Sequence, residues 1–153
     1  MKFSNEAVQI KRLTTEDILI FKKLIHLFRE VFEMKTPGII KESYLKNLLE
    51  KQEFIAYAII YENEVIGGLT AYELPMYYSG YSEVFIYDIA IQPEFQRKGL
   101  GKKLLLTLKE YCRQNGIKEI FVAANEEDKH ALNFYKSIGG NAESVVHFNY
   151  AIK

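Results

Sequence analysis

A short basic and glycine-rich stretch at residues 96–103 has the composition of an anion-binding loop. It reads QRKGLGKK, with Gly99 and Gly101 among basic side chains. Apolar residues at helical spacing follow it, so the glycines stand where a helix begins. Glycine lets backbone N–H groups approach a ligand closely, and a helix N-terminus carries partial positive charge. The stretch therefore predicts a site for a phosphate or a pyrophosphate.

Spacing excludes two common nucleotide-binding loops. A P-loop requires GxxxxGK followed by Ser or Thr, whereas Gln96 occupies the first glycine position and Lys103 the Ser or Thr position. The dinucleotide fingerprint requires GxGxxG, whereas Leu104 occupies its third glycine position. The remaining pattern is Q-x-x-G-x-G, formed by Gln96, Gly99 and Gly101.

Two carboxylates, Glu83 and Asp88, precede this loop on a predicted strand. Asp88 follows Tyr87 and precedes Ile89 and Ala90, and a carboxylate among such residues is usually paired or functional. We therefore expect Asp88 to have a functional role. Glu83 is the alternative, although an exposed edge position explains it equally well. Side-chain alternation directs the two carboxylates to opposite faces of the sheet unless a bulge intervenes.

Hydrophobic periodicity predicts the elements that position these residues. Strands are expected over 8–13, 54–61, 65–74, 119–124 and 144–152, together with a central strand that begins at residue 83 and is stopped by Pro93. Helices are expected over 18–33, 43–51, 102–115 and 128–137, with the segment 35–38 ending the first of them. This order predicts a single α/β domain over residues 1–153, with a mixed central β-sheet flanked by α-helices.

Composition narrows the class of protein. The chain has 153 residues, of which 48% are hydrophobic and 26% charged, and its 20 basic residues balance 20 acidic ones. That balance argues against nucleic acid as a partner. No apolar run approaches the roughly 20 residues of a membrane helix, and no signal-peptide core is present, so we expect a cytoplasmic protein without a membrane partner. The single cysteine, Cys112, is expected in the core rather than as a nucleophile, and the histidines lack metal-ligand spacing.

The Q-x-x-G-x-G loop, between a strand and an amphipathic helix, resembles the acetyl-coenzyme A pyrophosphate loop of the GNAT N-acetyltransferase superfamily. The order of elements is similar to the GNAT fold along nearly the whole chain. Further stretches resemble the type I aminoglycoside 3-N-acetyltransferases over roughly residues 40 to 149. They include AYELP at 71–75, YDIA at 87–90 and VHF at 146–148.

The resemblance implies a binding site for acetyl-coenzyme A. It places the pantetheine arm along the backbone of Ile89 and Ile91, the pyrophosphate on N–H groups of residues 97–102, and Gln96 in support of the loop. It places Tyr135 where the family's tyrosine protonates the departing thiolate; the alternative is a core aromatic residue. The expected cofactor contacts are Ile89, Ala90, Ile91, Gln96, Arg97, Lys98, Gly99, Leu100, Gly101, Lys102, Asn125, Asn133 and Tyr135.

The implied reaction is direct transfer of an acetyl group to a primary amine, and its most specific version targets the 3-amino group of an aminoglycoside. Asp88 is expected to bind the attacking amine and to act as its base, with Glu83 as the alternative. Tyr87 and His147 are expected to line the acceptor site beside Asp88. The alternatives are another small amine, a protein amine, or a non-catalytic acyl-coenzyme A sensor. Asn125 and Asn149 stand where the family would place acidic residues, which weakens the expected attraction for a polycation. A homodimer through the C-terminal strand is a further expectation, and burial of that strand within one chain is its alternative.

Overall fold

The computed structural model describes residues 2–35 and 38–153. Their contacts divide the chain into two compact units, Met1–Ala123 and Ala124–Lys153, and a single domain over 1–153 stays a prediction. The first unit contains β1 (Gln9–Arg12), α1 (Ile18–Val31), α2 (Glu42–Glu50), β2 (Phe54–Tyr61), β3 (Glu64–Pro75), β4 (Ser82–Ile91), α3 (Leu100–Gln114) and β5 (Glu119–Val122). The second unit contains α4 (Lys129–Ser137).

The sheet of the first unit has five strands in the order β1-β2-β3-β4-β5. All neighbours are antiparallel except β4 and β5, which are parallel, so the predicted α/β class with a mixed sheet is confirmed. β4 pairs with β3 from Ser82 to Ile91 but with β5 only from Glu83 to Ile86. Within the described residues, the second half of β4 therefore has no strand neighbour on its β5 side.

Helices cover both faces of this sheet. On one face, Phe54, Ala56 and Ala58 of β2 belong to a buried cluster with apolar residues of α1 and α2. Alternation turns Tyr57 to the other face. There the guanidinium of Arg12 lies 5.7 Å from the Tyr57 ring and 4.9 Å from the ring of Tyr111, so α3 packs on that second face.

The start of α3 is anchored in the core. Leu100, its first residue, is 1% exposed, and Leu104 and Leu108 are fully buried on the same helical face. This burial fixes the position of the helix N-terminus and of the loop before it. Cys112 is also buried, as expected, and burial raises the pKa of its thiol to about 11.

One predicted element is wrong. Residues 144–152 form no strand; they are exposed and lack regular structure. Val146, Phe148 and Tyr150 are 77%, 72% and 85% exposed. Alternating apolar residues suit a strand, but a strand also needs a neighbouring edge to take its backbone hydrogen bonds, and none of the described residues pairs with this segment.

Two further outcomes concern the helices. α1 ends at Val31, slightly before its predicted end, and Thr36 and Pro37 of the segment expected to break it lie outside the described residues. Across the ranges 2–35 and 38–153, we find no helix with the length and apolar character to cross a membrane.

Candidate active site

A β-bulge in the middle of β4 sets the direction of its side chains. Thr70 of β3 lies opposite Asp88, and Ala71 lies opposite Ile86, so Tyr87 is an extra residue without a partner on β3. An extra residue reverses the alternation of side chains along a strand. Asp88 and Glu83 consequently point to the same face of the sheet, which is the exception that the sequence pattern left open.

Asp88 is half-buried beside Thr70, which is itself 8% exposed. Within the described residues, its carboxylate makes no hydrogen bond and no ion pair. Burial alone raises the pKa of Asp88 above that of an exposed aspartate. A carboxylate that is partly desolvated and has no protein partner is suited to bind an ammonium group and to accept its proton.

Glu83 differs from Asp88 in having a protein partner. The hydroxyl of Tyr78 donates a hydrogen bond to Oε1 of Glu83 at 3.4 Å. The negative charge of Glu83 in turn raises the pKa of the Tyr78 hydroxyl. Glu83 thus contacts the connection between β3 and β4, whereas the Asp88 carboxylate has no hydrogen-bond partner among the described residues.

A row of aromatic rings crosses the sheet beside Asp88. The ring of Tyr72 lies 5.3 Å from that of Phe54 and 6.1 Å from that of Tyr87. Phe85 continues the row, at 6.0 Å from Tyr87 and stacked at 4.9 Å on Phe121 of β5. Tyr87 is 64% exposed. Aromatic faces attract cations, so this row adds an apolar and cation-attracting surface next to the carboxylate.

The unpaired edge of β4 exposes backbone hydrogen-bonding groups. The N–H of Gln92 donates to the carbonyl of Ile66 on β3 at 2.8 Å. Because backbone groups alternate in direction along a strand, Ile89 and Ile91 direct theirs away from β3, to the side where β4 has no strand neighbour. Ala90, between them, is buried. An extended ligand can bind this edge as an added strand would.

The loop that follows β4 has the geometry of an anion site. Gln96 Nε2 donates to the carbonyl of Ile91 at 3.0 Å and ties the loop to the end of the strand. Arg97 and Gly99 both have left-handed backbone conformations, with φ of 61° and 80°. Within the described residues, the N–H groups of residues 99–102 have no backbone acceptor. Consecutive unpaired N–H groups at a helix N-terminus fit the oxygens of a pyrophosphate.

The second unit carries the other predicted residues. Asp128 caps α4 by accepting a hydrogen bond from the N–H of Ala131 at 3.0 Å. Tyr135 is half-buried on α4, and its ring lies 5.2 Å from that of Phe134. Residues with exposed side chains are Asn125, Asn133, His147 and Asn149. The site roles expected for this unit stay predictions.

Tyr72 and Phe85 are site residues that the sequence analysis missed. They lie opposite each other on β3 and β4 and share the face of Asp88. Pairing two strand segments around the short connection at 76–81 would have brought them together, but the bulge would still have been needed to place Asp88 with them.

Within residues 2–35 and 38–153, no three metal-binding side chains converge.

Known proteins resemble the chain along most of its length. The sequence model of the acetyltransferase (GNAT) family matches residues 20–139. An aminoglycoside acetyltransferase from an uncultured soil metagenomic sample, crystallised with sisomicin and with trehalose, has a similar structure, with a TM-score of 0.94 and 39% identity over 97% of this chain and 99% of that one. A second aminoglycoside acetyltransferase from such a sample gives a TM-score of 0.90 and 32% identity over 95% and 99%. An uncharacterized N-acetyltransferase of Bacillus subtilis is 26% identical over 92% of this chain and 95% of its own length.

Proposed function

The chain belongs to the acetyltransferase (GNAT) family and is an N-acetyltransferase, and we propose that it transfers the acetyl group of acetyl-coenzyme A to the 3-amino group of an aminoglycoside. The observation that carries this proposal is the half-buried Asp88 carboxylate, which has no partner among the described residues and lies beside aromatic rings. The 39% identity to an aminoglycoside acetyltransferase over nearly all of both chains supports the class of acceptor.

The donor is proposed to bind along β4 and the loop after it. Backbone groups of Ile89 and Ile91 would hold the pantetheine arm, and N–H groups of residues 97–102 would hold the pyrophosphate. Gln96 would keep the loop against the end of β4, where it donates to Ile91. The unpaired edge of β4 and the unpaired N–H groups support this assignment, because both offer hydrogen-bonding groups to a ligand.

The proposed mechanism uses two side chains. Acetyl-coenzyme A supplies the acetyl group as a thioester. Asp88 accepts a proton from the substrate ammonium, for which its raised pKa makes it a stronger base than an exposed aspartate. The freed lone pair on nitrogen forms the new C–N bond while the C–S bond breaks, and the nitrogen then loses a second proton to water to give the neutral amide. Tyr135 gives its hydroxyl proton to the departing sulfur; its sequence position in the family supports this role.

A smaller amine is the second candidate acceptor. Asn125 and Asn149 are exposed and neutral where the resemblance leads us to expect acidic residues. An aminoglycoside is a polycation, and a site with fewer negative charges attracts it less strongly. An amino acid or a lysine side chain presents one ammonium group for acetylation, which Asp88 alone would bind.

Release of free thiol from acetyl-coenzyme A over a panel of amines tests the proposed function. The panel contains aminoglycosides, polyamines, amino acids and a lysine peptide. We expect release with an aminoglycoside, and mapping of the product should place the acetyl group on the 3-amino nitrogen. Release with a smaller amine or the peptide alone would reject the aminoglycoside. Binding of coenzyme A without release of free thiol for any amine would favour a non-catalytic acyl-coenzyme A sensor.

Tyr135→Phe tests the proposed acid. Removing the hydroxyl should lower kcat by roughly 10- to 100-fold, because the thiolate then leaves without a proton donor from the protein. The KM for acetyl-coenzyme A should change by less than about threefold, since only one hydroxyl is lost. Steady-state kinetics measures both. Tyr150→Phe, at a tyrosine that is 85% exposed in the same unit, is the control. Equal kcat in wild type and Tyr135→Phe would remove the acid role.

A further inference from the structure

Phe3 brings residues near the start of the chain against the anion-binding loop. Its ring lies 4.9 Å from the ring of Tyr61, at the end of β2, and 5.4 Å from that of Phe95, which immediately precedes the loop. The rings of Tyr61 and Phe95 are themselves 5.8 Å apart. Phe3 thus completes a cluster of three aromatic rings beneath the first residues of the loop.

Asn5 adds polar contacts to the loop itself. Its side-chain Nδ2 donates a hydrogen bond to the backbone carbonyl of Lys98 at 2.7 Å. The ammonium of Lys103 donates to the backbone carbonyl of Asn5 at 3.3 Å. The ammonium of Lys98 also lies 5.6 Å from the centre of the Phe3 ring. We call residues 3–5 the clasp; it contacts the loop at Lys98 and α3 at Lys103.

The bond from Asn5 to Lys98 fixes the direction of a peptide group in the loop. The carbonyl of Lys98 and the N–H of Gly99 belong to one planar trans peptide, so they point in opposite directions. With the carbonyl held by Asn5, the N–H of Gly99 points away from the clasp, on the side of the other N–H groups at the start of α3. Lys98 itself lies between two left-handed residues, Arg97 and Gly99. The left-handed conformation is unfavourable for arginine, so contacts that hold the neighbouring peptide help to maintain it.

We propose that Phe3 and Asn5 are positioning residues that hold the loop in the shape that receives the pyrophosphate of acetyl-coenzyme A. The inference rests on the proposed donor site. It assigns a function to two residues that lie more than 90 positions before the loop in the sequence. Asn5 is exposed, and neither residue belongs to the buried cluster under α1 and α2. Loss of the clasp should therefore change the loop without unfolding the protein.

The experiment compares Asn5→Ala and Phe3→Ala with a matched control at the opposite end of α3. The control is Asn115→Ala, which also removes an exposed asparagine whose Nδ2 donates to a backbone carbonyl, that of Tyr111 at 2.8 Å. Calorimetry gives the Kd of coenzyme A, and steady-state kinetics gives kcat and KM for acetyl-coenzyme A and for acetyl-pantetheine, which lacks the pyrophosphate. Thermal unfolding reports the stability of each variant.

Each clasp variant should weaken coenzyme A binding by roughly fivefold to tenfold, the effect of losing about one neutral hydrogen bond or ring contact. At saturating acetyl-coenzyme A, kcat should stay within about twofold of wild type, and the kinetics with acetyl-pantetheine should not change. Asn5→Gln keeps the amide donor and should recover part of the affinity. Asn115→Ala should bind coenzyme A as wild type does.

Two results would overturn the inference while leaving the donor site intact. One is an unchanged Kd for coenzyme A in both clasp variants. The other is an equal loss with acetyl-pantetheine, which would show a general structural effect. A different result tests the donor site itself: if wild type does not prefer acetyl-coenzyme A to acetyl-pantetheine, the pyrophosphate assignment fails, and the role of the clasp fails with it.

Discussion

Replacing Asp88 with asparagine should lower kcat/KM for the amine substrate by roughly 10²- to 10⁴-fold, the usual contribution of a general base. Asparagine keeps the size of the side chain but does not accept a proton from an ammonium group. The substitution also removes the negative charge that is proposed to bind the substrate ammonium group. If Asp88 acts as a base, the loss falls mainly on kcat; if it acts only as a ligand, the loss falls mainly on KM. Steady-state kinetics with the best amine of the panel distinguishes these two roles.

Glu83→Gln is the matched control for this variant. Glu83 points to the same face of the sheet, but its carboxylate already accepts a hydrogen bond from Tyr78. Its neutral form should therefore reduce kcat/KM by less than about tenfold. A large loss in Glu83→Gln together with a small loss in Asp88→Asn would exchange the two assignments. Small losses of kcat/KM in both variants would show that neither carboxylate acts as the base.

The pKa of Asp88 gives this variant a second expected property. Burial raises the pKa in the folded state above 3.8, so folding favours the protonated form and the ionised form lowers stability. The penalty is present in wild type at neutral pH and is lost as the pH falls through the folded pKa. Asp88→Asn should therefore have a higher Tm than wild type at pH 7, and the difference should shrink on acidification. Activity of wild type should fall as Asp88 becomes protonated.

Gly101→Asp should weaken coenzyme A binding by about 100-fold or more. The new carboxylate would belong to the second residue of α3, among the N–H groups proposed to hold the pyrophosphate. Its negative charge would lie close to the negative charges of the pyrophosphate and would repel them strongly. An acidic residue in the first turn of a helix is favourable for the helix itself, so the Tm should not fall. Calorimetry with coenzyme A measures the loss, and thermal unfolding confirms that the fold persists.

Gly101→Asn separates charge from size. Asparagine has the shape of aspartate without its charge, and it should cost affinity only through the space that its side chain takes. An equal loss in the two variants would mean that crowding, rather than the charge of the ligand, decides binding. Unchanged affinity in Gly101→Asp would show that the pyrophosphate binds elsewhere, and the loop assignment would be wrong.

The sequence was sufficient for most of the elements but not for the alignment of the strands. The run from Phe54 to Tyr61 forms a strand with its predicted bounds, because isoleucine and aromatic residues make up most of it and no charged residue interrupts it. The bulge at Tyr87 is different, because whether a strand holds one extra residue depends on how its neighbour pairs. Periodicity within β4 alone does not determine this, so the shared face of Glu83 and Asp88 needed the structure.

Long-range contacts limited the prediction in a second way. The side chain of Asn5 bonds to a carbonyl that is 93 residues away, and nothing in the local pattern around Phe3 and Asn5 indicates such a partner. The segment at 144–152 shows the opposite error. Its alternation is real, but alternation indicates only the capacity to pair, and the edge that would complete a strand has to come from elsewhere.

The burial of Cys112 has a consequence for the reactivity of the protein toward electrophiles. With a pKa of about 11, only about one part in 10⁴ of its thiol is thiolate at neutral pH, and its side chain lies on the buried face of α3. Thioesters, disulfides and alkylating reagents all react with thiolate. The Cys112 thiol of the folded protein should therefore not react with them, whereas small thiols in the same solution should. A chromogenic thiol reagent can therefore follow coenzyme A continuously in the presence of the enzyme.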